Sequence, residues 1–175
     1  MKLAILAQAY LLDPTITING TLVQLYNLSH GFADVGIEVH YIATTKDVNK
    51  PKSEVVNGIH FYWIYTKGGI LDWYKGMKKY HRILEEVKPN AIYVRGRTVL
   101  QFVAGEYSKK HCINYVWGTN GDDSAELWKN VKRLKNTQKS LIRKIALLPL
   151  KAFEDRYINK GMRLTSSIIN QSVHQ

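Results

Sequence analysis

Residues 20–44 read GTLVQLYNLSHGFADVGIEVHYIAT, and the spacing of the apolar residues changes once along this stretch. The first part has apolar residues three or four positions apart, the period of an amphipathic helix: Leu22, Leu25, Leu28, Phe32 and Val35. Gly36 is predicted to end the helix, and residues 39–44 are rich in strand-forming types. Because residues 2–9 form an apolar run of strand length just upstream, the sequence predicts a strand–helix–strand unit.

The rest of the chain continues this alternation. Further strands are predicted at residues 59–65, 91–94, 113–117 and 163–168. Helices are predicted at residues 72–87, at 99–110, from Ser124 to a break near Pro149, and at 150–159, with a polar loop at 45–57. Alternation of this kind, with several nearly all-apolar strands, is typical of a parallel sheet with helices on both faces. The 175 residues fit one such α/β, Rossmann-like domain.

Composition limits the classes of protein to which the chain can belong. The single cysteine, Cys112, excludes an intramolecular disulfide and agrees with a reducing compartment, so we expect a cytoplasmic protein. No apolar run approaches the roughly 18 residues of a membrane span, and the apolar start is too short for a signal peptide. The formal net charge of +11 indicates an anionic partner: nucleic acid, a membrane or a phosphorylated ligand.

Asn19 and Gly20 stand where a loop meets the first predicted helix. Unbonded N–H groups and the helix dipole at such a position favour an anion, and a glycine lets a phosphate approach the backbone closely. The sequence has neither the G-x-G-x-x-G motif nor the G-x-x-x-x-G-K-[ST] motif there. An Asn-Gly turn with Thr21 as the helix cap explains the same residues, and on these residues alone it ranks ahead of a phosphate site.

Two loops follow later strands, at the sheet edge where ligands bind in open parallel sheets. Arg95 and Arg97 flank a glycine and could hold a phosphate or a carboxylate, although a solvated loop with surface ion pairs explains them equally well. Asp122 lies in residues 118–123, GTNGDD, and could act as a base or orient an acceptor hydroxyl. The equal alternative there is a turn in which Asp123 or the following serine only caps the next helix.

Residues 127–153 contain eight basic residues and no acidic one, interleaved with apolar positions. A basic amphipathic helix is therefore predicted, which could lie on an anionic membrane or pack on its own domain. Binding to nucleic acid ranks below both interpretations, because no recognised nucleic-acid motif accompanies the segment. The six histidines show no metal-ligand spacing, so neither a metal site nor a cofactor is predicted.

Three stretches, taken in their order, resemble a known family. They are Gly20 with its leucine-spaced helix and residues 36–44 (GIEVHYIAT), residues 88–95 (KPNAIYVR) and residues 114–123 (NYVWGTNGDD). Together they are similar to the N-terminal domain of group 1 retaining glycosyltransferases of the GT-B fold. The resemblance extends over nearly the whole chain. It implies that residues 1–175 are one half of a GT-B fold, namely the acceptor-side domain.

The resemblance also implies a function and a site. Family members transfer a sugar from a nucleotide-sugar to a hydroxyl group, often of a lipid-linked or cell-envelope glycan, as in polysaccharide biosynthesis. Asn19 and Gly20 would face the donor diphosphate, and the basic helix would face the inner surface of the membrane. The loop near the reacting centre would comprise Asn120, Gly121, Asp122 and Asp123. Most donor contacts would come from a C-terminal domain that these residues do not include, so we expect this chain alone to be inactive.

The sequence departs from the family at positions that bear on chemistry. Asn120 stands where many members have histidine, Asn19 where many have a first glycine, and Asn90 where many have aspartate. An amide cannot take part in proton transfer, so the function of Asn120 must differ from that of the histidine. A glycosyltransferase half with Asp122 orienting the acceptor ranks first. The alternative is a non-catalytic membrane- or partner-binding module derived from such a domain.

Overall fold

The computed structural model describes residues 1–68, 72–119 and 126–170. Within these ranges the strands are β1 (Lys2–Leu6), β2 (Glu38–Thr45), β3 (Ser53–Val56), β4 (Ile59–Tyr65), β5 (Ala91–Arg95), β6 (Asn114–Thr119) and β7 (Ser167–Asn170). The helices in the same ranges are α1 (Gly20–Asp34), α2 (Asp72–Val87), α3 (Leu100–His111), α4 (Lys129–Lys135) and α5 (Leu141–Arg163). The predicted alternation of strands and helices is confirmed.

The strands form one sheet in the order β3-β4-β2-β1-β5-β6-β7. Every neighbouring pair is parallel except β3 and β4, which are antiparallel. After β1 the chain moves outward in one direction to β2, and it later returns to place β5 on the other side of β1. The strand order therefore reverses between β1 and β5, which makes their C-terminal ends the topological switch point of the sheet.

Helices cover both faces of the sheet, as predicted. Leu3 and Ile5 of β1 pack in a cluster with Leu25 of α1 on one face. Ala4 and Leu6 point to the opposite face and pack in a cluster with residues of α2 and α3. Because β1 is buried on both sides, its residues are apolar at almost every position, as expected for a central parallel strand. Helix α5 packs outside α3 on this second face.

The predicted loop at residues 45–57 is wrong in its last part, where β3 forms a hairpin with β4. Asn57 and Gly58 both have positive φ, of 52° and 76°, and Val56 pairs with Ile59 across the turn. Two consecutive residues with positive φ are typical of the two-residue type I′ turn, which the Asn-Gly dipeptide favours. The antiparallel edge strand therefore follows from a turn signal that the polar composition of the segment concealed.

The predicted break near Pro149 is also wrong, since α5 passes through that residue without ending. The chain breaks earlier, between α4 and α5, where the Thr137 hydroxyl donates to the Leu134 carbonyl at 2.8 Å. A proline within a helix removes the hydrogen bond to the carbonyl four residues before it, here that of Ile145. Ile145 is exposed, so water can solvate that carbonyl group. Because α5 continues to Arg163, the last strand begins later than predicted.

Candidate functional site

A cleft of about 680 Å³ opens outside the C-terminal ends of β1 and β5, at the switch point of the sheet. Two of the three loops predicted to carry chemistry line it. The first leads from β1 into α1 and contributes Gln8, Thr17 and Gly20. The second follows β5 and contributes Arg95 and Arg97. Open α/β sheets bind ligands at such a position, so the cleft is the candidate site.

Hydroxyl groups from neighbouring elements hold the exit of β1 in place. Tyr80 of α2 donates to the Ala7 carbonyl at 2.6 Å, and Tyr41 of β2 donates to the Ala9 carbonyl at 3.1 Å. Thr44 of β2 donates to the carbonyl between them, that of Gln8. Burial raises the pKa of both tyrosines, so each remains a protonated donor at physiological pH. Three consecutive carbonyl groups are thus fixed, and with them the floor of the cleft.

The loop between β1 and α1 is anchored by Tyr10 and Asp13, both buried. The Tyr10 ring packs against Phe61 with centroids 4.6 Å apart, and burial raises its pKa to about 12. Asp13 accepts hydrogen bonds from the Thr15 amide at 2.9 Å and the Thr15 hydroxyl at 2.6 Å. Burial works to raise the pKa of Asp13, but hydrogen bonds from Thr15 and Thr45 outweigh it and hold that pKa below its usual value. The loop is therefore held in one conformation.

Asn19 is the cap of α1, in place of Thr21. The Asn19 side chain accepts a hydrogen bond from the Leu22 amide at 3.1 Å, and its backbone is extended. Gly20 is the first helical residue, and no atom in the described ranges lies within 4 Å of the position that a Cβ would take there. The packing of the domain therefore gives no reason for a glycine at this position. Its lack of a side chain instead leaves the N-terminus of α1 open to the cleft.

Arg95 is the last residue of β5 and is almost fully buried at the wall of the cleft. Its Nη1 donates to the Tyr93 hydroxyl at 3.2 Å, which holds the guanidinium in place. Gly118 of β6 pairs with Arg95, and a Cβ on it would lie 2.1 Å from the Tyr93 hydroxyl and 3.2 Å from Arg95 Nη1. Only glycine at 118 accommodates both side chains. Arg95 thus presents a positive charge that its neighbours orient.

Arg97 has its backbone at the cleft but its guanidinium elsewhere. Gly96 has a φ of +75° and ends the strand, after which the Arg97 side chain turns toward α5. Its Nη2 donates to Asp155 Oδ1 at 2.7 Å, and Asp155 is fully buried. The other carboxylate oxygen of Asp155 accepts from the Val131 amide at 2.9 Å, at the start of α4. This ion pair joins the cleft loop to α4 and α5, and an acceptor-binding function for Arg97 stays a prediction.

The third predicted loop falls on residues that the structure does not describe. Asn120, Gly121, Asp122 and Asp123 lie outside the described ranges, so their placement and functions stay predictions. β6 leads into them at Thr119, on the sheet edge that carries the cleft, and the Gly96 amide donates to the Gly118 carbonyl at 2.8 Å. In residues 1–68, 72–119 and 126–170, no group of three or more His, Cys, Asp or Glu could hold a metal ion.

Sequence reasoning missed the residues that shape the site from neighbouring strands. Tyr93 and Gly118 were assigned only to a strand and a loop, yet they position Arg95. A signal was present, because a glycine next to a strand of β-formers often marks a close approach by another group. The hydroxyls of Tyr41, Thr44 and Tyr80 had no such signal, because a hydroxyl on a buried strand or helix shows its partner only in three dimensions.

The sequence matches no protein-family model and no curated protein. Solved structures do share its fold. UDP-GlcNAc 2-epimerase from Methanocaldococcus jannaschii aligns with a TM-score of 0.55 at 14% identity, over 97% of this chain and 39% of that chain. Sucrose-phosphate synthase from Thermosynechococcus elongatus aligns at 0.53 and 11% identity, over 97% and 47%. UGT89C1 from Arabidopsis thaliana, complexed with UDP, aligns at 0.54 and 9% identity, over 99% and 43%.

These similarities define the class of fold: the chain is a Rossmann-like domain that matches one half of GT-B enzymes. The fold implied by the resemblance is confirmed. The chain spans between about two fifths and one half of the length of these three structures. At identities of 9–14% the similarity establishes the fold alone, because one fold can carry many different functions.

Proposed function

We propose that this chain is the acceptor-side half of a glycosyltransferase that moves a sugar from a nucleotide-sugar to a hydroxyl group. The observation that carries the proposal is the meeting of two positive groups at the switch point of the sheet. One is the N-terminus of α1 at Gly20, and the other is the guanidinium of Arg95. Both favour an anion, and a donor diphosphate is the anion that a sugar transfer requires.

Gly20 suits the contact with phosphate. α1 is 15 residues long, so its dipole places the equivalent of about half a positive charge at the N-terminus. A phosphate needs to approach the backbone N–H groups closely, and a side chain at the first position would stand in its path. Because the fold does not require a glycine at position 20, we attribute this glycine to the close approach of a phosphate.

Arg95 supplies the second contact. Its guanidinium is held by Tyr93 and the residue is almost fully buried at the wall of the cleft, so little side-chain entropy is lost when it binds an anion. A planar guanidinium matches the geometry of phosphate and carboxylate oxygens. It would therefore hold either the donor diphosphate or a charged group of the acceptor.

The chemistry requires a base and a stabilised leaving group. The acceptor oxygen forms a bond to the anomeric carbon, the bond from that carbon to the phosphate oxygen breaks, and the diphosphate leaves with the electron pair. The helix N-terminus and Arg95 would stabilise its negative charge. The hydroxyl proton must pass to a base, and Asp122 is the sequence-predicted residue for orienting that hydroxyl or accepting its proton.

The acceptor we propose is a glycan of the cell envelope or a lipid-linked sugar, reached from the cytoplasmic side of the membrane. A second domain or a partner chain would supply the remaining donor contacts, because the chain spans less than half of the three similar structures. A specific observation supports an alternative function, a non-catalytic binding module. Asn120 stands where many members of the family have histidine, and an amide transfers no proton.

Substitution of Gly20 tests the proposal. Gly20→Ala should leave the melting temperature unchanged or slightly higher, since alanine favours a helix and meets no described atom within 4 Å. Binding of UDP, ADP or GDP should weaken on the order of tenfold, because the methyl group blocks phosphate from the N–H groups. Gly31→Ala in the same helix is the matched control and should bind as the wild type does. Equal nucleotide affinity in both variants would contradict a phosphate site at Gly20.

A further inference from the structure

Four aromatic rings from three helices meet on the outer surface of the helix layer that contains α5. The ring centroid of Tyr74 in α2 lies 5.7 Å from that of Phe153 in α5. Tyr157, one turn further along α5, lies 5.0 Å from Phe153 and 4.7 Å from Phe102 of α3. Tyr74 and Phe153 remain 42% and 37% exposed. Within residues 1–68, 72–119 and 126–170, none of the helices combines the length and the apolar character needed to cross a membrane. Single exposed apolar residues are ordinary, but rings that converge from three helices and stay exposed indicate a contact surface.

Three of these rings line a surface cavity of about 290 Å³ between α3 and α5. Its walls are the rings of Phe102, Phe153 and Tyr157 and the side chains of Arg156 and Lys160. Ligand pockets are lined mainly by apolar and aromatic side chains with a few polar groups, and the smallest measure about 300 Å³. The cavity has this composition, and its size suits one ring-sized unit of a longer ligand.

The two basic side chains of the cavity are engaged differently. Lys160 Nζ lies 3.2 Å from Glu106 Oε1 and 5.0 Å from the centre of the Phe102 ring, so its charge is already compensated. Arg156 is exposed, and within the described ranges no residue pairs with its guanidinium. A guanidinium binds a carboxylate through two parallel hydrogen bonds. The cavity therefore offers aromatic walls and one available positive charge.

A sugar ring that carries a carboxylate fits both features. A pyranose presents C–H groups on its faces, which can pack on aromatic rings, and polar groups at its edge, which can reach a guanidinium. Single-stranded nucleic acid fits less well, because successive bases stack on aromatic side chains along a basic groove. Here the ring of Tyr157 is inclined at 80° to Phe153 and at 86° to Phe102, so the rings form walls and not a continuous stack.

The cavity lies toward the end of the domain that carries the cleft. Tyr74 and Phe102 are the third residues of α2 and α3, and both helices begin beyond strands whose C-terminal ends form the cleft edge of the sheet. In α5, Asp155 precedes Arg156 and pairs with Arg97 of the cleft loop. A glycan chain held at the cavity is therefore bound at the same end of the domain as the cleft.

We propose that this cavity binds a uronic acid unit of an acidic glycan, with the sugar ring on Phe153 and Tyr157 and the carboxylate on Arg156. The inference deepens the proposed function, since it names an acidic glycan as the acceptor class. Its choice of a glycan over an acidic peptide rests on that function. The cavity shares no residue with the phosphate contact at Gly20, so the two proposals can fail separately.

Calorimetric titration of the 175-residue chain with tetragalacturonate and with a hyaluronan hexasaccharide tests the cavity. At least one of these acidic glycans should bind, and the neutral maltohexaose should bind on the order of tenfold more weakly. Phe153→Ala removes a ring from the wall, and Arg156→Gln removes the positive charge. Each should weaken binding of the acidic glycan on the order of tenfold.

Matched controls keep the ring or remove a charge elsewhere. Phe153→Tyr retains an aromatic wall, and Arg143→Gln removes another exposed arginine of α5; both should bind the glycan as the wild type does. Gly20→Ala should also bind it normally, which separates this site from the nucleotide site. Binding of neither acidic glycan, equal binding of maltohexaose, or full binding by Arg156→Gln would overturn the proposal. So would tighter binding of a uridylate octamer or an oligoglutamate peptide that Arg156→Gln abolishes.

Discussion

Gly161 shows how one residue can set the distance between two helices. It lies in α5 where that helix crosses α3, and a Cβ there would lie 2.3 Å from the Gln101 carbonyl carbon and 2.3 Å from the Phe102 nitrogen. These are backbone atoms, so neither can rotate away. The whole helix would have to move. The glycine is therefore needed for close contact between α3 and α5, and this contact supports the Arg97–Asp155 ion pair.

Gly161→Ala should lower the free energy of unfolding by about 3 kcal/mol, because an overpacked helix contact forces a backbone shift. Chemical denaturation measures the change. Gly31→Ala is the control, since no described atom lies within 4 Å of its Cβ position, and it should raise stability by about 1 kcal/mol. A fully stable Gly161→Ala variant would show that α3 and α5 are not in close contact.

At the scale of single residues, the sequence predicted some positions and not others. Asn19 and Gly20 were identified by their place at a helix start, and the structure brings them to the cleft with Arg95. The sequence could not separate Arg95 from Arg97, because both are arginines next to one glycine. The positive φ of Gly96 sends the second side chain to the opposite face, where Asp155 binds it. Only the fold reveals that partner, 58 residues later in the chain.

Strands β2 and β4 bring two histidines together in register. His40 pairs with His60 across the strands, and their rings stack with centroids 4.8 Å apart. His40 Nε2 lies 2.9 Å from Glu38 Oε1, and Nδ1 lies 3.2 Å from the Tyr62 hydroxyl. A neutral ring with its proton on Nε2 donates to Glu38 and accepts from Tyr62. Burial lowers the pKa of His40, which keeps the ring neutral beside His60.

Stability should therefore depend on pH through this pair of strands. The pKa of His40 is lower in the folded protein, so the unfolded chain takes up the proton first as pH falls. The contribution of His40 to the free energy of unfolding is present above the unfolded pKa of about 6.5 and is lost progressively as the pH falls below that value. Burial lowers the pKa of His81 in the same direction. The free energy of unfolding should fall on acidification from neutral pH.

Denaturation at a series of pH values checks this expectation. His40→Gln should reduce the slope of the free energy of unfolding against pH in the acid range. His81→Gln should reduce the part of that slope that His40 does not cause. A wild-type slope in His40→Gln would mean that His40 is not buried as a neutral ring.

For whole elements, the period of the apolar residues predicted most strands and helices. It failed at β3 and near Pro149, for two different reasons. β3 is an edge strand with polar and exposed residues, so its only signal was the Asn57-Gly58 turn. Proline disfavours the interior of a helix, but at Pro149 tertiary packing outweighs this preference, because the second half of α5 packs against α3.

For the molecule as a whole, the fold is that of one half of a GT-B enzyme. The alternation of strands and helices predicted a Rossmann-like α/β domain. The resemblance to the family predicted that this domain is one half of a GT-B fold. The sequence did not predict where the cleft lies in the strand order, because the position of the switch point depends on which strands become neighbours. The proposed function of Asp122 stays a prediction, because this residue lies outside the described ranges.

If the proposed function is right, residues 1–175 alone should not turn over a nucleotide-sugar donor. Incubated with UDP-glucose, UDP-N-acetylglucosamine or GDP-mannose and an acceptor glycan, the 175-residue chain should release no nucleoside diphosphate above background. Chromatography of the free nucleotide measures the release. Strong turnover by these residues alone would contradict the assignment of most donor contacts to a second domain.

The most direct test of the central claim maps nucleotide binding onto the ¹⁵N-labelled chain by NMR. Titration with UDP, ADP and GDP in turn should move the amide signals of Gly20, Thr21 and Gly96 most with at least one of them. In Gly20→Ala the signals of Thr21 and Gly96 should need a nucleotide concentration on the order of tenfold higher for the same shift. Weak binding suffices, because chemical shifts report it in fast exchange. If all three nucleotides leave these signals unmoved, or move only signals of α5, then the cleft between β1 and β5 does not bind a donor diphosphate and the proposed function is wrong.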